Sequence, residues 1–64
     1  MEEIDFIRAY RDMKSIKAIC EENKINYSNL LNGLSTEENE RKVVNDIKME
    51  ILKIYALLKI KMEE

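Results

Sequence analysis

Residues 15–33 read SIKAICEENKINYSNLLNG, and the spacing of their apolar side chains predicts two short helices with a corner between them. Ile16, Ile19 and Cys20 recur at i, i+3 and i+4, which lines one face of a helix. Ser15 precedes them as an N-cap, its hydroxyl placed to accept from a free amide of the first turn. This helix should end near Asn23-Lys24. Asn26 is the next N-cap candidate, and Tyr27 to Asn32 follow as a short helix with Leu30 and Leu31 facing inward. Gly33 stands where helices end in a left-handed residue.

Working outward, the segment from about Glu2 to Met13 also reads as helix. Glu2, Glu3 and Asp5 fall in its first turn, where negative charge meets the positive end of the helix dipole. Phe6, Tyr10 and Met13 lie at i, i+4 and i+7, and Ile4 and Ile7 widen the stripe. Downstream, Ser35-Thr36-Glu37-Glu38 forms a capping box, with Ser35 as the cap and Glu38 reaching back. No Gly or Pro follows it, so one helix should run from about Thr36 to Met62. Glu37→Arg41 and Glu38→Lys42 are i, i+4 pairs in the favourable orientation. No period-2 alternation long enough for a strand occurs. The expectation is a single all-α domain over residues 1–64, with three short helices and one long C-terminal helix.

The long helix carries a mechanical consequence. Twenty-seven residues at about 1.5 Å each span roughly 40 Å, whereas a compact chain of this length is about 28 Å across. Val44, Ile47, Ile51, Ile54 and Leu58 follow a 3-4-3-4 spacing like a coiled-coil seam. Val43, Leu52, Tyr55 and Met62 widen the stripe. The part beyond about Glu50 should therefore overhang its own domain and pack on a second copy, through Ile51, Leu52, Ile54, Tyr55, Leu58 and Met62. The alternative is a helix that bends or ends early and packs inward.

Composition narrows the function classes. The chain has 64 residues, one Cys, one Gly and no His, Pro or Trp. One Cys forbids an internal disulfide, and no cluster of Cys and His offers a metal site. Without His there is no ordinary general base, and no Gly-rich loop is present to cradle phosphate. Cys20 lies on an apolar stripe beside Glu21 and Glu22, whose charges oppose thiolate formation. An enzyme, a cofactor and a small-molecule substrate are not expected. No apolar run approaches the roughly 20 residues that span a bilayer. Met1-Glu2-Glu3-Ile4-Asp5 has the wrong charge for a signal peptide, so no membrane role and a cytoplasmic location are expected. Ile, Lys and Asn are abundant, and their A/T-rich codons fit a low-GC genome.

The same 15–33 stretch resembles the helix-turn-helix of small phage and plasmid regulators of the Cro/repressor type. That pattern runs apolar, small, three variable positions, Gly, Ile or Val, and an apolar residue five further on. Here these are Ile19, Cys20, Lys24, Ile25 and Leu30, covering under a third of the chain. Cys20 replaces the usual Ala, and a buried thiol is a small hydrophobe. Lys24 replaces the usual Gly. A positive φ there would cost about 1 kcal/mol or more, and Asn23, which tolerates that conformation better, is the alternative turn residue.

The resemblance implies that Tyr27–Asn32 is a recognition helix, with Asn26, Tyr27, Ser28, Asn29 and Asn32 facing bases. Asn pairs with adenine in bidentate fashion, and Arg, the guanine reader, is absent from this helix, so A·T-rich sites are expected. Asn26 and Asn32 read equally well as cap and turn residues. Phosphate contacts would come from Lys14, Lys17, Lys24, Arg41 and Lys42. The expected function is a homodimeric DNA-binding transcriptional regulator of phage or mobile-element type. The net charge of −2 opposes DNA affinity and motivates a second class: a phage-type helical protein that binds and inhibits a host protein such as a nuclease. A coiled-coil adaptor that uses only the long helix is a third.

Overall fold

A computed structural model describes residues 2–63, with side chains described to residue 59. The four helices are α1 (Glu3–Ala9), α2 (Lys14–Glu22), α3 (Tyr27–Leu31) and α4 (Glu37–Glu63). No strand occurs among the described residues. The fold is thus all-helical with a long C-terminal helix. α4 packs on α1 and α2, and α3 packs on the same two helices, so α1 and α2 form the middle of the molecule.

The apolar spacings account for the core. Ile16, Ile19 and Cys20 of α2 meet Ile7 of α1, Leu30 of α3, and Val43, Val44 and Ile47 of α4, all buried. Ile25, in the corner between α2 and α3, joins them. Phe6, Tyr10, Met13 and Ile51 pack around the edge of this cluster. Each fully buried aliphatic side chain contributes about 1.5–3 kcal/mol. The chain has no disulfide, so these contacts carry the stability of the body.

Three helix starts or ends differ from expectation. α1 stops at Ala9 rather than Met13. Tyr10 and Met13 still pack inward, but from a turn closed by Met13 N donating to Tyr10 O at 3.0 Å. The turn redirects the chain so that α1 and α2 each pack on both α3 and α4, which a continuous helix could not do. α2 begins at Lys14, with Met13 extended as its N-cap and no side-chain cap bond. Ser15 is therefore inside the first turn and cannot cap it; its buried Oγ has no hydrogen-bond partner. At α4 the cap is Thr36, not Ser35. Thr36 Oγ1 accepts from Asn39 N at 3.1 Å. This start places Asn39, not Glu38, at the third helical position, so the reciprocal box does not form. The two expected pairs do form, Arg41–Glu37 at 3.8 Å and Lys42–Glu38 at 3.7 Å. Both are exposed, and such pairs contribute little.

α4 is one unbroken helix of 27 residues, and the molecule is 45 × 24 × 19 Å. Its stripe is buried at Val43, Val44 and Ile47 and half-buried at Ile51. Beyond that, Leu52, Ile54, Tyr55, Leu57 and Leu58 are 61, 51, 69, 65 and 55% exposed. The helix overhangs its own body, as its length requires. Met62 lies beyond the residues whose side chains are described.

The caps give a direct test. Replacing Thr36 with Ala should lower stability by about 1 kcal/mol, while Ser35→Ala should change it by less than about 0.5 kcal/mol. Urea unfolding of both variants, followed by circular dichroism, measures the difference.

Candidate nucleic-acid interface

The corner between α2 and α3 is built by backbone hydrogen bonds. Ile25 N donates to Cys20 O at 2.9 Å, and Lys24 N donates to Glu21 O at 3.3 Å. This six-to-one and five-to-two pair is a Schellman motif, which needs a left-handed residue at its second-last position. Lys24 supplies it, with φ 58°. The turn residue is therefore Lys24, at the place of the usual Gly, and not Asn23. Asn23 keeps φ −90° because its side chain is committed. Its Nδ2 donates to Ile19 O and to Asp46 Oδ2 on α4, both at 2.9 Å. That bridge ties the corner to the long helix.

The next helix ends in the same way. Gly33 has φ 72°, Leu34 N donates to Asn29 O at 2.8 Å and Gly33 N to Leu30 O at 3.2 Å. At the start of α3, Asn26 Oδ1 accepts from Asn29 N at 3.0 Å. One short helix is thus held at both ends by local bonds, and Leu30 anchors it in the core.

The five expected base-facing residues divide. Ser28, Asn29 and Asn32 present exposed side chains, as a reader surface requires. Asn26 spends its carbonyl oxygen on the cap and keeps its amide donors. Tyr27 is half-buried against the core, and its hydroxyl donates to Arg11 O at 2.8 Å. That bond fastens α3 to the turn after α1, so Tyr27 has a positioning job that local spacing did not reveal. Leu34, 73% exposed, was not singled out by the sequence. It directly follows Gly33 and is tied to Asn29, which places an apolar group beside the polar ones. A lone Leu after a helix-ending Gly carries no local signal for exposure.

The basic candidates also divide. Lys14, Lys17 and Lys24 are exposed on α2 and at the corner. Arg41 stands among carboxylates, with Nε 3.9 Å from Glu3 and Nη2 3.8 Å from Glu37. Lys42 is paired with Glu38. This end of the molecule is acidic. Partial burial and the charges of Glu3, Glu37 and Glu2, opposed by Arg8, raise the pKa of Glu40. Burial and then Glu21 raise that of the Cys20 thiol, so the one cysteine is held protonated inside the core.

Among the described residues no group of His, Cys, Asp and Glu could hold a metal ion, and no helix is long and apolar enough to cross a membrane. No family model, curated protein or solved structure matches the chain.

Two variants test this geometry. Lys24→Gly should raise the thermal midpoint by about 4–8 °C, the shift that roughly 1 kcal/mol produces in a domain of this size. Tyr27→Phe should cost about 1 kcal/mol, whereas Ser28→Ala and Asn32→Ala should stay within about 0.5 kcal/mol. Calorimetry of the four chains reads both.

Proposed function

We propose that this chain is a small DNA-binding transcriptional regulator of phage or mobile-element type, acting as a cytoplasmic homodimer on A·T-rich sites. The observation that carries the reading is the corner itself. A left-handed residue between α2 and α3, at the position where helix-turn-helix regulators place Gly, sets a short helix against a longer one. Ser28, Asn29 and Asn32 then stand exposed on that short helix. Asn reads adenine through N6 and N7, Ser bonds to several bases, and the exposed Leu34 suits a thymine methyl group. Lys14, Lys17 and Lys24 on the adjoining surface are placed for phosphates. One body makes few such contacts, and the net charge of −2 weakens them, so two bodies acting together are needed for useful affinity.

A second reading rests on the acidic end. Glu2, Glu3, Glu37 and Glu40 crowd together there, and Arg41 and Lys42 are held by neighbouring carboxylates. Such a surface suits a basic protein partner better than a phosphate backbone. It supports an inhibitor of a host protein such as a nuclease.

Gel shifts on A·T-rich palindromes at 50 and 200 mM salt separate the two. The first reading expects binding that weakens steeply with salt, and a loss of about 5- to 150-fold in Asn29→Ala, as one base contact is worth about 1–3 kcal/mol. No salt-dependent binding at micromolar protein, together with one stoichiometric protein captured from a lysate, would favour the second.

A further inference from the structure

We infer that the guanidinium of Arg8 holds a DNA backbone phosphate at the end of α3 and so helps to set the register of the reader surface in the groove. This deepens the DNA-binding reading above and rests on it. Arg8 belongs to α1, far from α3 in the sequence, and no local spacing links the two.

Packing brings them together. α3 rests on α1, and the Tyr27 hydroxyl fastens it there by donating to Arg11 O at 2.8 Å. With α3 held in this way, Arg8 Nη2 lies 4.0 Å from the place that a Cβ on Gly33 would take. Gly33 stands between Asn32 and Leu34, both exposed. The guanidinium therefore borders the same surface as the candidate base-facing groups.

Its donors are uncommitted. The chain has three arginines. Arg11 and Arg41 each have a carboxylate within 4.0 Å. Arg8 is exposed, and among the described residues it has neither such a carboxylate nor a side-chain hydrogen bond. Glu40 feels its charge, which opposes the rise in that carboxyl's pKa, yet no Glu40 oxygen comes within 4.0 Å of it. The planar fork of N–H donors that distinguishes Arg from Lys thus has no use inside the fold.

Size favours a phosphate over a base. α3 has five residues and is about 7.5 Å long, while the major groove is about 12 Å wide. A recognition helix sets its N-terminal residues on the bases, and here that end carries Ser28 and Asn29. A group at the far end, carried by another helix, stands toward the groove wall, where the phosphates are. Arg matches a phosphate with two parallel N–H bonds, and such contacts fix register without reading sequence. Lys14, Lys17 and Lys24 come from α2 and the corner. Arg8 adds a phosphate contact from α1, the other helix on which α3 rests.

Salt dependence of gel shifts tests this. Each phosphate contact contributes about 0.9 to the slope of log affinity against log salt. A dimer carrying Arg8→Gln in both chains loses two contacts, so its slope should be shallower by about 1.8. The affinity lost between 50 and 200 mM salt should then be about 12-fold smaller than for the unaltered protein. The change should be equal on an A·T-rich palindrome and on a scrambled duplex. Arg8→Lys should keep the slope, since the charge remains, and so should Lys59→Gln, which removes a charge on the overhanging end of α4. A last-turn cation also suits the dipole of α1, so thermal midpoints are read beside binding. All three should stay within about 4 °C of the unaltered protein. An unchanged slope in Arg8→Gln, or an equal loss in Lys59→Gln, would overturn the assignment while DNA binding itself stood. A loss confined to duplexes with one particular base pair would replace the phosphate with a base contact. A much lower midpoint in Arg8→Gln would make its role structural instead. No salt-dependent binding by the unaltered protein to any duplex would remove the DNA reading, and the role of Arg8 with it.

Discussion

The apolar face of α4 is longer than the body available to cover it. Three short helices reach only as far as Ile51, and the face runs on through Ile54, Tyr55 and Leu58. Leaving such a stripe in water forfeits about 25 cal/mol for each Å² that burial would remove. Contiguous exposed patches of this kind mark interaction surfaces. The same helix therefore has two tasks. Its first half closes the core of the chain, and its second half carries apolar side chains that the body leaves exposed. Because both halves use one face, the body is an obstacle on that face to any further helix that would pack there.

The other constraint is the corner at Lys24. A left-handed lysine costs about 1–2 kcal/mol relative to its ordinary conformation. Several contacts hold it there: the two backbone bonds of the Schellman motif, Ile25 buried one residue on, and Asn23 bonded to Asp46. The last of these links the corner to α4. The surface formed by Ser28 and Asn29 is in this way positioned relative to the long helix. A dimer formed through α4 would fix the two candidate reader surfaces relative to one another.

Much of this was legible in the sequence, because the signals were repetitive. The i, i+3, i+4 spacing of Ile16, Ile19 and Cys20 named their buried face. The absence of Gly and Pro after residue 35 announced one long helix, and simple length arithmetic announced its overhang. What the sequence left open was local choice settled by distant packing. Ser15 and Ser35 are good caps, but the caps fall at Met13, two residues earlier, and at Thr36, one residue later, where the neighbouring turns place them. Phe6, Tyr10 and Met13 keep helical spacing although the helix ends at Ala9, since a tight turn also delivers Tyr10 and Met13 to the core. Tyr27 looked like a free surface residue because its partner, the Arg11 carbonyl, lies sixteen residues away. No nearby pattern encodes that bond.

The central claim is that one chain leaves part of α4 unsatisfied and a second chain completes it. The mass of the intact protein in solution, by light scattering across a concentration series, tests this most directly. The account predicts twice the 7.6 kDa of the chain at micromolar concentrations, collapsing to a folded single chain in Ile54→Glu/Leu58→Glu. A mass of 7.6 kDa for the unaltered protein throughout the series would contradict it.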